Sequence, residues 1–526
     1  MQRSVTGPPE GFGEPQRGAP IGPPEGFGEP QRGAPIGPSE AAPAPELVEA
    51  GFALEVADAP LLHGGLNLAD LAHVLDLRAR GVLPEEPARR LLDLLLTVSE
   101  MPADQFPYDP VFGDPYNCRE RFFAERLGDD AGWLHAGRPR REAGRVALRL
   151  LLRGLVVELA ADAARFADAV SGQAVAHAES LMPDQTYLQQ AQPSTFGHYV
   201  LAFAYPALRD GERLLRGLDW VNRSPGGAGC VNGSRLVDDR TRVAGLLGFP
   251  WVIEHTRDAM WQIDGLIDLL ATAVSLVTNQ SKLAEDLEIW DSQEFDFVDL
   301  AGPYTRSSVL MPQKRNPYAL AITRGAAGVL IGRLSGFLAV VKSPSARSDN
   351  MIFAYGEVPR ALQLAGKVTR LMAGVVATLD VRAERMLESL RNGFSQATDL
   401  AEFVMQAAGV DYRSAYLVVG RAVREAGRQG LRGLDLTGAM LDEAAREVLG
   451  RTLGLAGRDL GEVLDPRAIV LTRTASGGAA PAVVRQMAAA CSLAAAELEA
   501  AAGGQALAFR EAGDDLLNRA REVAHG

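Results

Sequence analysis

Residues 306–317 read Arg-Ser-Ser-Val-Leu-Met-Pro-Gln-Lys-Arg-Asn-Pro, placing Ser307, Ser308, Lys314 and Asn316 within ten residues of each other. Pro312 and Pro317 bring no amide donors and are expected to hold the backbone out of regular structure. The stretch therefore reads as a polar loop, and binding and catalytic residues concentrate on such loops. A Ser-Ser pair alone reads as a solvated turn; the lysine and amide beside it make the stretch a candidate site. A second group is Trp133 to Glu142, where Arg138, Arg140 and Arg141 follow His135. Three arginines can be a solvated basic turn, but a planar guanidinium fork can also clamp a carboxylate through two hydrogen bonds. The third group is the polar stretch 182–198 with Thr186, Tyr187, Gln189 and Gln192. Near its reference pKa of about 10, the Tyr187 phenol is a plausible general acid and a poor base. His198 reads as structural.

The elements that carry these groups are helical by composition. Apolar residues make up 47 % and aromatics 6 % of the 526 residues, with alanine and leucine dominant, which favours helix over sheet. Such a length accommodates two to four domains with large cores. Apolar periodicity predicts a helix over 66–80 ending at Gly81, and a second after the Pro84-Glu85-Glu86-Pro87 entry. The runs 146–180, 193–220, 260–290 and 319–341 are apolar almost all round, as expected of helices buried in a bundle. The last of these starts directly behind the polar loop.

Several function classes are disfavoured. The formal net charge of −13, with no basic block, argues against nucleic-acid binding. The run 146–161 is taken as the most apolar stretch; Arg149, Arg153 and Glu158 break it, so no membrane span is expected. Cys118, Cys230 and Cys491 lie outside any metal-binding spacing, which fits a reducing cytoplasm and no metal. The glycine-rich Ser224 to Gly229 lacks the lysine of a phosphate loop. Residues 7–21 read GPPEGFGEPQRGAPI and 22–36 repeat them, a composition that cannot bury a core and reads as a disordered extension.

Taken together, these stretches resemble the fumarase, aspartase and argininosuccinate lyase superfamily, and argininosuccinate lyases in particular. The 306–317 loop is similar to the family's SSxMPxKxNP signature, His135 to Glu142 to its HTGRSRND region, and Thr186-Tyr187 to a Thr-His pair. Similarity continues through Ser281 to Leu287, Phe394 to Asp399 and Gly477-Gly478, covering about 114–486. The resemblance implies an all-α, three-domain lyase with a central long-helix bundle, assembled as a homotetramer whose motif regions meet from different subunits. The expected divisions are an extension at 1–44, an N-terminal helical domain at 45–137, the bundle at 138–388 and a C-terminal helical domain at 389–526.

It also implies the chemistry: reversible elimination of an amine from an N-substituted aspartate, giving fumarate through an enediolate, with no cofactor. Ser307 is implied as the base, with Ser308, Thr186, Tyr187 and Lys314 in the catalytic group. His135, Arg138, Arg140, Arg141, Asn117, Gln189, Gln192, Met311 and Asn316 are implied to line the substrate. Where argininosuccinate lyases carry YNKDLQEDKE for the amino-acid half, this chain has Arg347, Ile352 and Tyr355. An amine other than arginine is therefore expected, met by Arg347 or Asp349. A true argininosuccinate lyase and a non-catalytic helical scaffold are the alternatives; the replacement of a histidine by Tyr187 and the presence of Pro139 leave the scaffold open.

Overall fold

The computed structural model describes residues 43–344 and 351–526; the repeat at 7–36, Arg347 and Asp349 lie outside the described residues. Helices dominate. α1 spans Ala59–Ala79 and stops where Gly81 adopts a φ of 70°, the left-handed conformation that ends a helix. Its start lies seven residues before the expected Leu66. α2, Glu85–Glu100, opens behind Pro84 with two acids in its first turn, favourable against the helix dipole. α3, Pro115–Leu127, is capped by Asp114, whose Oδ1 accepts from the amides of Tyr116 and Asn117.

The bundle is built on α4, Arg140–Ala176, which is 37 residues long. Buried positions occur on all its sides because other helices surround it. The arginines that interrupt its apolar pattern tie it to later segments. Arg149 donates to the carbonyls of Trp220 and Val221 and to Gln262 Oε1, and Arg153 to the carbonyl of Leu247.

Two strands follow, β1 (Leu181–Thr186) and β2 (Gln189–Thr195), in the stretch expected to be a polar connection. The helix expected over 193–220 begins only at Phe196 and is interrupted, its main part being α5, Ala204–Val221. α6, Asp264–Trp290, leads to the short antiparallel pair β3 (Arg306–Ser307) and β4 (Arg315–Asn316). The loop expected to avoid regular structure is thus the turn of a small hairpin. Its proline amides cost nothing because Pro312 and Pro317 lie outside the paired residues.

Behind it stands α7, Tyr318–Val341. By length and composition this helix could cross a membrane, and it, rather than 146–161, is the candidate span among the described residues. Ile322, Val329, Ile331 and Leu338 are exposed on it, and Gly325, Gly328, Gly332 and Gly336 have nothing beside them. α8, Glu357–Ala377, completes the side-by-side packing.

α9 (Ala397–Ala408), α10 (Tyr412–Arg428) and α11 (Gly438–Leu449) share a separate small core around Leu400, Val418 and Leu441. The 45-residue α12, Pro481–His525, leaves that core. Its Val484 to Ala502 face joins the bundle and its Leu516 and Ala520 join the N-terminal core with Leu91 and Phe123. The last helix therefore packs apart from the residues grouped with it at 389–526.

The N-terminal helices are locked to the start of α4 by one buried carboxylate. Asp70, on α1, accepts from Arg119 Nη2 of α3 at 2.7 Å and from Arg138 Nη2 at 2.5 Å, and all three side chains are buried. Removing one partner of a buried ionic group strands the other charges. Asp70→Asn is expected to destabilise the fold by about 3 kcal/mol, read as a Tm lower by several degrees in thermal unfolding.

Candidate active site

The start of α4 is held from both sides. Arg138 packs inward, donating to Asp70, to the carbonyl of Ala69 at 2.9 Å and to the Tyr116 hydroxyl at 2.7 Å. It does not line the cleft described below, and its guanidinium is taken up by these partners. Burial pushes the Tyr116 hydroxyl up to about 12. On the other side, Glu142 is buried, and its carboxylate accepts from the amides of Gly227 at 2.6 Å and Gly229 at 2.7 Å. The glycine-rich loop thus wraps a carboxylate of its own chain. Burial raises the Glu142 pKa even though both amides oppose it.

Between these anchors Arg140 and Arg141 line an open cleft. Arg140 Nε lies 3.2 Å from Asp114 Oδ2. The opposite walls come from Glu55 and Asp58, ahead of α1, and from the helical turn Ile352–Tyr355. Asp58 is engaged by Arg360. His135 stands nearby with Nε2 3.0 Å from Glu120 and its ring edge-on to Tyr116. Asn117 lies at the start of α3, its amide nitrogen in the space beside Gly113.

The signature loop is elsewhere. Ser307 is exposed within β3, and Val309, Leu310 and Met311 project into solvent from the turn. Lys314 Nζ contacts Asn316 Oδ1, and Asn316 Nδ2 donates to the carbonyl of Arg306 at 3.0 Å. Ser308 Oγ accepts from the amides of Leu310 at 3.3 Å and Met311 at 3.1 Å. Two amides aimed at a hydroxyl oxygen favour its negative form. The numbering of the loop agrees. The family pattern has one residue between the serine pair and Met-Pro, whereas Val309 and Leu310 both intervene here. Counting back from Met311-Pro312 puts the first serine of the pattern at Ser308, not Ser307.

The third group sits on the β1–β2 turn. Tyr187 and Leu188 have φ values of 55° and 60°, conformations that suit glycine or asparagine, and Tyr187 is 99 % exposed. Thr186, Gln189 and Gln192 are exposed on the same hairpin. Strain of this kind at an exposed tip is a mark of functional segments. The cleft contains none of Thr186, Tyr187, Ser307, Ser308 or Lys314, so a single chain presents three separate groups.

Sequence reading found the arginines and the loop but missed Glu55, Asp58, Asp114 and Arg145 in the cleft. Asp114-Pro115 carries a helix-start signal, and Arg145 repeats Arg141 after one turn, so these two had local signals. Glu55 and Asp58 had none, because their role comes from a contact across the fold.

Residues 81–332 match a family described as lyase, and residues 394–471 match the argininosuccinate lyase C-terminal family. The chain is 31 % identical over 417 residues to an argininosuccinate lyase of Methanothermobacter thermautotrophicus, covering 79 % of this chain and 89 % of the relative. It is 33 % identical over 417 residues to that of Geobacillus thermodenitrificans, with the same coverages. Among solved structures, an EDDS lyase variant with bound fumarate is similar with a TM-score of 0.82 and 25 % identity, covering 92 % of this chain and 97 % of the other.

The strained hairpin tip gives a test. Replacing Tyr187 with Asn and Leu188 with Gly supplies residues suited to both turn positions and is expected to stabilise the protein by up to ~1 kcal/mol. The same variant should lose turnover, so melting temperature and activity should move in opposite directions.

Proposed function

The chain belongs to the argininosuccinate lyase family of the fumarase/aspartase superfamily and is a fumarate-forming carbon–nitrogen lyase, and from that premise we propose that it reversibly removes an amine other than arginine from an N-substituted aspartate. The observation that carries the chemistry is the Ser308 hydroxyl, held by two loop amides three residues before a Met-Pro turn that ends in Lys314 and Asn316. In the proposed reaction one carboxylate of the succinyl group is clamped by Arg140 and Arg141, with His135 and Asn117 beside them. Lys314 and Asn316 hold the other. Ser308, as alkoxide, takes the proton next to that carboxylate, and the charge that develops on the enediolate is met by the same cationic and amide groups. Tyr187, flanked by Thr186, delivers a proton to the leaving amine. Ser307, Met311, Gln189 and Gln192 complete the walls.

This chemistry needs the three groups in one place, and one chain keeps them apart. Four chains packed through the exposed apolar and glycine face of α7 would bring them together and would cover that face without a membrane. A homotetramer in the cytoplasm, with each site shared between subunits, is the assembly we infer.

A competing reading is cleavage of argininosuccinate itself, favoured by the names of the relatives. Against it, Ile352 and Tyr355 line the cleft where the resemblance requires polar groups for the arginine moiety. A site lacking such groups loses on the order of 10⁴ in kcat/KM. Argininosuccinate is therefore expected to turn over with kcat/KM below ~10⁴ M⁻¹s⁻¹, the lower end of the ordinary enzyme range; a higher value would establish the competing reading.

The proposal is tested by ultraviolet absorbance of fumarate and by the mass of adducts formed from fumarate and mixed amines. Ser308→Ala is expected to lower kcat at least about a hundredfold, the scale of a lost proton-transfer group, with the tetramer intact in light scattering. Ser307→Ala should fall well short of that loss; the reverse order would make Ser307 the base. No adduct with any amine would leave the scaffold reading in force.

A further inference from the structure

The cleft is lined by a cation, Arg145, and an anion, Glu55, that form no ion pair among the described residues. Arg145 follows Arg141 by one turn of α4 and lines the cleft, its guanidinium carbon 3.5 Å from the centroid of the Tyr355 ring. Its Nε donates to the carbonyl of Met260 at 3.3 Å. No carboxylate among the described residues pairs with it. Its neighbours differ: Arg138 has Asp70, Arg140 has Asp114 and Arg360 has Asp58. The other buried arginines of α4, Arg149 and Arg153, direct their terminal nitrogens at backbone carbonyls or at Gln262, away from the cleft. Across the cleft, the Glu55 carboxylate accepts no hydrogen bond and forms no ion pair among the described residues, whereas its backbone carbonyl accepts from the Asp58 amide. Burial and the nearby Asp114 raise its pKa, with Arg141 and Arg140 opposing them. A guanidinium stacked on an aromatic face keeps its edge free for a planar anion.

We propose that the amine partner is a short amino acid: its carboxylate is held by Arg145, and a second, cationic nitrogen is met by Glu55. The inference rests on the lyase reading above and adds the class of amine. Residues at i and i+4 of a helix have Cβ atoms about 5–6 Å apart. With one succinyl carboxylate at Arg140 and Arg141, an anion at Arg145 lies about one helical turn further on. That spacing fits a carboxylate two or three bonds from the reacting nitrogen and not the long tail of arginine. In the addition direction the nitrogen lone pair forms the C–N bond to one fumarate carbon as the C=C π bond breaks and its electron pair passes to the other carbon and its carboxylate. The other carbon gains a proton, the nitrogen loses one, and nothing is oxidised or reduced.

The test uses the full-length wild-type protein, fumarate and two amines matched in both nitrogens: 2,3-diaminopropionate and 1,2-diaminoethane, which lacks only the carboxylate. The expected result is a kcat/KM at least about a hundredfold higher for 2,3-diaminopropionate, since a group built to bind a carboxylate is left unpaired by its absence. In Arg145→Gln that ratio should fall to within about threefold of unity, and Arg145→Lys should retain part of it. A wild-type ratio near unity, or turnover confined to amines without a carboxylate, overturns the inference while leaving the lyase reading in place. An equal loss on both amines in Arg145→Gln makes Arg145 a support for the fold and likewise overturns it. If Arg145→Gln does not fold, the wild-type ratio decides alone. Absence of any adduct from any amine defeats the lyase reading itself.

Discussion

Two buried carboxylates fix the start of the long helix α4, and the position of every cationic group in the cleft follows from them. Asp70 holds Arg138 just before the helix, and Glu142 holds the glycine-rich loop just inside it. Arg140 and Arg141 lie between these two points and have little freedom to move relative to the bundle. In the proposed reaction rigid placement matters because the carboxylate clamp must be ready before the proton is taken; hydrogen bonds that must first be arranged contribute less to the transition state. The fold also bears a cost here, since both carboxylates are out of water and need every partner they have.

The remaining chemistry is arranged by the opposite rule. Ser308 and Tyr187 sit on hairpin tips that their own chain hardly contacts, with Tyr187 in a strained conformation. An exposed apolar tip such as Val309-Leu310 and a helix with an open glycine face are unfavourable in an isolated chain. Both become favourable once copies cover them. Assembly would thus place the loops and bury the surface in one event, which links quaternary structure to activity more tightly than in a protein whose site lies within one chain.

The helical architecture was legible in the sequence because apolar periodicity is a local property; the end of α1 and the starts of α2, α6 and α7 follow from a glycine, prolines and first-turn acids. The two hairpins were not, because each is short and its pairing depends on a turn geometry that Tyr187-Leu188 and Val309-Leu310 do not advertise. The buried ion pair of Arg138 was not legible either, for a related reason. Its inward direction is set by Asp70, 68 residues earlier, and no local pattern reports such a partner. Glu142 looked like a departure from the family string, yet in the fold it is the residue that secures the loop. The spacing to Met311-Pro312 that motivates the proposal of Ser308 was already present in the sequence.

The division between a rigid cleft and separate loops also bears on how substrate choice can change. Glu55, Arg145, Ile352 and Tyr355 all come from one chain and lie on elements fixed by the N-terminal core and the bundle. The proposed proton-transfer groups lie on other segments and, in the proposed assembly, on other chains. A substitution at Arg145 or Tyr355 alters what stands beside the amine without touching the loop that takes the proton or the α7 face through which copies would pack. Selectivity among amines can then vary while the fumarate side stays constant. The sequence has that form: Arg140, Lys314 and Asn316 follow the family pattern, whereas the positions facing the amine depart from it.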